Sequence, residues 1–201
     1  MKQLVVAAIA ALVWLGAAAP TALGQQPLAI KPLAEKKVPA LPPGELYWRI
    51  DNFASVAQAQ AAATPWSLVA QSAGRVWLFT LGPAGGSSPG GSRVVEVGPI
   101  PRVSAPEYLL RINEASGAPG NVTPVHSHPG SEAFFVLAGE QAIRHPHGVM
   151  RVKVGQPQAG HGADVPMQVS SSGSTDLLSL VMFVVDATRP FSTPAKFADG
   201  S

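Results

Sequence analysis

Short apolar runs alternate with Gly- and Pro-containing turns over most of the chain. Val94–Val97, Tyr108–Ile112, Ala133–Leu137, Val149–Val154, Pro166–Val169 and Leu177–Val185 are each of strand length, with turn residues between them. Short strands at this spacing predict a β-sandwich or barrel. Further upstream, Ser67–Ala70 and Arg75–Leu81 flank Ser72-Ala73-Gly74 and predict another strand pair. Ala54–Ala63 is rich in Ala and Gln and predicts a helix, which Thr64-Pro65 ends. Gly82–Gly91 (GPAGGSSPGG) reads as a loop. The pattern contains no internal repeat.

The first segment differs from the rest. Met1-Lys2 is a short positive start, and Leu4–Ala19 is almost wholly apolar over 16 residues. Pro20-Thr21 breaks the run, and Ala22-Leu23-Gly24 puts small residues where a signal peptidase reads. The apolar run is shorter than the roughly 20 residues that span a bilayer. Residues 1–24 are therefore expected to be a secretory signal peptide, with export to the periplasm or the medium and no membrane association after cleavage. Residues 25–43, rich in Pro and Lys, read as an extended leader or linker. Residues 44–92 read as a helix and strands packing on a barrel, 93–187 as the barrel itself, and 188–201 as a C-terminal tail.

Composition narrows the function classes. Only 13% of the 201 residues are charged, against 46% hydrophobic, so most of the chain is built for burial or for sparsely charged loops. The 20 Gly and 20 Pro favour a turn-rich β fold over a helical bundle. Net charge is +2, and no basic block exceeds Lys36-Lys37, which argues against a nucleic-acid partner. The absence of cysteine removes disulfides, thiolate metal sites and cysteine nucleophiles. There is no phosphate-cradling loop or Ser/His/Asp ordering.

The informative segment is GNVTPVHSHPGSEAFFVLAG, from Gly120 to Gly139. His126 and His128 are two apart, so on a strand both imidazoles project from one face. Pro129-Gly130 is a turn dipeptide, after which Glu132, Phe134 and Val136 share a face and Ala133, Phe135 and Leu137 share the other. The turn can bring the Glu132 carboxylate beside the two imidazoles. Two His and one carboxylate on one side of a divalent ion leave positions open for substrate or oxygen. Fe, Mn, Ni, Cu, Co and Zn all suit such donors. Phe134, Val136, Val149, Met167 and Met182 read as barrel lining, and Arg111, Glu114 and Gln168 as polar groups that can face the pocket.

The order Gly120, His126, His128, Glu132, Gly139 resembles the first signature motif of the cupin superfamily at every fixed position. The resemblance covers roughly Val94–Val185. It implies an all-β fold, a small antiparallel jelly-roll barrel with the metal inside, here carrying an N-terminal helix and extra strands. It also implies His126, His128 and Glu132 as metal ligands. The second motif is degraded. Gly155 fits its start, but Met167 stands where a fourth ligand, His, belongs, and a thioether is a poor donor for a hard divalent ion. His161, in a Gly-His-Gly loop, is a candidate substitute; His145 and His147, around Pro146, read as a surface turn.

Members of the family include dioxygenases, isomerases and decarboxylases. The expectation is an exported metal-binding protein, an enzyme of dioxygenase or isomerase type acting on a small organic substrate. The alternative is a non-catalytic barrel that binds a metal or small ligand. The resemblance also implies pairing of two copies through strands at the barrel edge.

Overall fold

The computed structural model describes residues 26–198. The expected signal segment, residues 1–24, lies outside them. In chain order the elements are β1 (Ala29–Val38), β2 (Leu46–Phe53), α1 (Val56–Ala61), β3 (Ser67–Ser72), β4 (Arg75–Gly82), β5 (Ser92–Ile100), β6 (Tyr108–Gly117), β7 (His126–Ser127), β8 (Gly130–Ala138), β9 (Glu140–His145), β10 (Gly148–Lys153), β11 (Pro157–Ala159), β12 (Gln168–Ser171), β13 (Leu177–Asp186) and β14 (Thr193–Pro194). Helix α1 is shorter than its sequence pattern. Ser55 caps it by accepting a hydrogen bond from the Gln58 amide at 3.3 Å, and only Ala59 is buried. Among the described residues no helix is long and apolar enough to cross a membrane.

A five-stranded antiparallel sheet, in the order β1-β6-β13-β8-β11, lies at the centre of the fold. A four-stranded sheet (β3-β4-β2-β5) covers one face, and a three-stranded sheet (β10-β9-β12) curves over the other. The central strands are apolar on both faces for that reason. Along β13, Leu180, Met182 and Val184 join one buried cluster, while Val181, Phe183 and Val185 join the other. Along β8, Ala133 and Phe135 join the first, and Phe134 and Val136 the second. This is strand period two with each face packed on a different layer. The five-stranded and three-stranded sheets enclose the jelly-roll barrel expected from the motif, and the four-stranded sheet and α1 are the additions to it.

Two segments differ from expectation. Residues 25–43 are not a free linker: β1 pairs with β6 from Ala29↔Ser116 to Val38↔Tyr108, with a register shift between Pro32 and Ala34. Its Pro and Lys residues suit an edge strand, where no second partner needs the missing amide and charge deters further pairing. Such a strand has the composition of a linker. The expected tail is not free over its described part either, because β14 pairs with β7. Val149, expected in the barrel lining, is 56% exposed on β10, an edge strand. Met182 is buried between the central and four-stranded sheets and so does not line the barrel.

Strand β2, between β4 and β5, has no sequence signal of its own. It interleaves buried Trp48 and Ile50 with buried Arg49 and Asp51. Arg49 Nη1 donates to the Pro83 carbonyl at 2.9 Å, and Asp51 accepts from Ser88 at 2.8 Å and Arg93 at 2.7 Å. These partners, all more than 30 residues away in the chain, are what let a charged pattern lie in a sheet interior.

Candidate functional site

The Pro129-Gly130 turn delivers β8 beside β7. Gly130 pairs with Val185 of β13, and a Cβ there would stand 2.1 Å from the Val184 carbonyl oxygen. Only glycine allows this approach, and the approach puts Glu132 on the same wall as the histidines.

His126, His128 and Glu132 all line one cavity of about 440 Å³. The His126 and His128 rings meet edge to face, 4.9 Å between centroids. His126 Nδ1 lies 2.8 Å from the Pro124 carbonyl and His128 Nδ1 2.7 Å from the Phe191 carbonyl. A carbonyl only accepts, so each Nδ1 carries the proton and each Nε2 keeps its lone pair. This is how metal-ligating histidines are commonly oriented. Glu132 is 2% exposed, and its Oε1 has no hydrogen-bond partner. Gly160 lies flat against its stem and donates its amide to the Glu132 carbonyl at 2.9 Å. Among the described residues, no three His, Asp or Glu side chains converge closely enough to hold an ion as they stand. The fit to a divalent ion therefore lies in the donor set, the tautomers and the orphaned carboxyl oxygen.

The rest of the lining is mostly apolar: Ile30, Ala115, Phe134, Val169, Val181, Phe183 and others, with Asn113, Thr123 and Ser192 as the neutral polar groups. Among the described residues, no Lys or Arg lines it. Arg111 instead bonds Asn113, pairs with Glu35 at 3.3 Å and lies over the Phe191 ring at 4.3 Å. Glu114 accepts a short hydrogen bond from Ser72, and Gln168 donates to the Thr123 carbonyl at 3.1 Å, so neither is a cavity group.

The candidates for a fourth ligand are placed elsewhere. Met167 lies opposite His126, with backbone bonds in both directions at 2.7 and 2.9 Å. Its thioether is buried in the core and is not among the cavity-lining groups. His161 packs on His145, with centroids 4.1 Å apart, and His147 lies 6.1 Å from His145. These three histidines form a separate cluster at the tip of the β9–β10 hairpin. Burial, then the charges of His145 and His147, hold His161 below its usual range.

Burial also acts on the cavity groups, in opposite directions. It pushes the Glu132 carboxyl up to about 8. It lowers His128 to about 4; the Phe191 carbonyl opposes this shift, and the charges of His126 and Arg111 add to it. Unfolded, these groups titrate near 4.5 and 6.5. Between 4.5 and 8 the native state keeps a Glu132 proton that the unfolded state has lost, so stability falls as pH rises. Between 6.5 and 4 the unfolded state takes up a His128 proton that the native state refuses, so stability falls as pH falls. The two slopes cancel from 4.5 to 6.5, and above 6.5 Glu132 acts alone. At about 1.4 kcal/mol per unit, the metal-free protein is expected to lose about 2 kcal/mol between pH 6.5 and 8. Urea unfolding at pH 6 and pH 8 measures this. Glu132→Gln should abolish the loss, and a wild-type profile flat over this window would contradict the burial argument.

The architecture is an antiparallel jelly-roll β-barrel, and the Gly-His-His-Glu-Gly pattern lies on it. No family model and no curated protein matches the chain. Solved structures do match over less than half of it. A cupin-like protein from Thermotoga maritima is 15% identical, covering 45% of this chain and 68% of its own, with a TM-score of 0.39. A cupin superfamily protein from Desulfitobacterium hafniense is 17% identical over 38% of this chain and 68% of its own, at 0.35. A DMSP lyase from Ruegeria pomeroyi is 22% identical over 43% of each chain, at 0.37. No activity transfers on likeness of this order.

Proposed function

We propose that this chain is an exported, divalent-metal-dependent enzyme that acts on a small organic substrate, of dioxygenase or isomerase type. The observation that carries this is the set His126, His128 and Glu132 on one apolar cavity, with both Nε2 lone pairs free of the backbone and a buried carboxyl oxygen unpartnered. These three residues would hold the ion, and Fe, Mn, Ni, Cu, Co and Zn all suit their donor chemistry. Bound there, it would supply Lewis-acid or oxygen chemistry with coordination positions left open. The chain's own part is to hold both imidazoles in one tautomer, to exclude water with Phe134, Phe183 and Phe191, and to orient substrate through Asn113, Thr123 and Ser192. Away from the ion-binding trio, the largely apolar lining favours a substrate with an apolar body, such as a phenol. The leader pattern of residues 1–24 supports export to the periplasm or the medium.

The non-catalytic barrel has one observation in its favour. No titratable group other than His126, His128 and Glu132 lines the cavity, so no general acid or base stands apart from the ligand set. Anaerobic loading with each metal, followed by oxygen uptake and product analysis on a panel of phenols, separates the two. Turnover with one metal supports the enzyme. Stoichiometric metal binding with no turnover on any substrate supports the binding barrel, and a chain that takes up no metal refutes both.

A further inference from the structure

The segment after β13 does more than end the chain. From Asp186, whose amide bonds the Pro129 carbonyl at 3.0 Å, it crosses from the central sheet towards β9. Arg189 forms a two-pronged ion pair with Asp164, at 2.7 and 3.0 Å, and the Asp164 amide donates to the His128 carbonyl at 2.8 Å. Phe191 follows, its ring 4.8 Å from His128 and 5.0 Å from Phe183, with the Arg111 guanidinium over it. Thr193 and Pro194 pair with Ser127 and His126, and the Ala195 amide donates to the Val125 carbonyl at 3.0 Å. Beyond that, the Phe197 ring lies under the Arg144 guanidinium at 4.4 Å. Phe191, Ser192 and Pro194 line the cavity.

We infer that residues 187–197 are a strap built into the site, and that Phe191 is its positioning residue: its carbonyl holds the His128 proton on Nδ1 and aims Nε2 at the cavity, while its ring completes the wall. Three observations converge on this one segment. The His128 partner comes from 63 residues away, so nothing local to β7 fixes that imidazole. Backbone pairing joins the strap to the strand that carries His126. Phe191 is the anchor that packs against the barrel core, while the exposed Arg189–Asp164 pair and the Arg144–Phe197 stack flank it and are individually weak. Removing it would leave β7 with one strand neighbour fewer and His128 free to choose its tautomer.

The consequence for metal affinity rests on the reading above; the tautomer does not. The experiment uses the metal-free chain and a chain stopped after Ala187, with ¹⁵N spectra of the imidazole nitrogens as readout. The full chain is expected to show His128 protonated at Nδ1. The shortened chain should lose that signature while His126, held by Pro124 within its own segment, keeps its own. Co²⁺ affinity should fall roughly 10- to 100-fold with it, the range for loss of a second partner to a ligating histidine. Arg189→Glu, a surface change that leaves the core intact, serves if the shortened chain does not fold. It should speed hydrogen exchange of the Ala195 and Asp164 amides several-fold. An unchanged His128 signature in the shortened chain, or unchanged exchange in Arg189→Glu, overturns the strap. A full chain that takes up no Co²⁺ but changes tautomer on shortening would overturn the metal reading and leave the strap standing.

Discussion

His126→Ala and His128→Ala are each expected to weaken Co²⁺ binding at least roughly a hundredfold, more than the loss of an outer partner to such a ligand costs. With two imidazoles and one carboxylate as the whole donor set, each histidine is a third of it, and the apolar wall offers no replacement. In Co²⁺ titrations followed by visible absorption, wild type should give a saturable one-to-one spectrum and the two variants almost none at the same concentration. Glu132→Gln should also weaken binding, since the neutral amide cannot supply charge. The control is His145→Ala. His145 belongs to the separate cluster with His147 and His161, so its loss should leave the spectrum unchanged. Loss of the spectrum in His145→Ala but not in His126→Ala would move the site to the hairpin tip and end the proposal.

Trp77→Ala should be the most damaging single change to the fold, costing about 3–5 kcal/mol. Trp77 is fully buried between the four-stranded and central sheets, beside Phe79 at 6.4 Å. Its Nε1 donates to the Ser72 carbonyl at 2.9 Å, so the variant leaves both a void and an acceptor without its partner. Domains of this size are stable by about 5–15 kcal/mol, so a large share would go. Denaturant unfolding should show a lower midpoint with little change in slope. Val149→Ala is the comparison: at 56% exposure it should change stability by no more than about 0.5 kcal/mol. A cost above 2 kcal/mol at Val149, or below 1 kcal/mol at Trp77, would contradict the layer arrangement.

The pH effect at Glu132 and the metal effect share one cause. A carboxyl buried without a partner is costly to ionise, and a cation on the same wall would relieve that cost. Such a group stabilises little in the metal-free fold, which is the cost expected of a side chain retained for binding.

The sequence by itself determined the β-barrel class, the strands with strong apolar runs, and that His126, His128 and Glu132 fall on one wall, because strand period two and a Pro-Gly turn are local rules. Met167, which the resemblance alone set at a ligand position, lies opposite His126 in an isolated bridge. Strands β1 and β2 were not legible. One carries the Pro and Lys of a sheet edge, and the other buries Arg49 and Asp51 against partners more than 30 residues away. Only the tertiary structure decided that His161 joins His145, that Val149 faces solvent, and that the chain's last segment returns to His128. Those outcomes depend on which distant backbone and side-chain groups meet, and no local pattern of apolar and polar positions encodes a hydrogen bond across 63 residues.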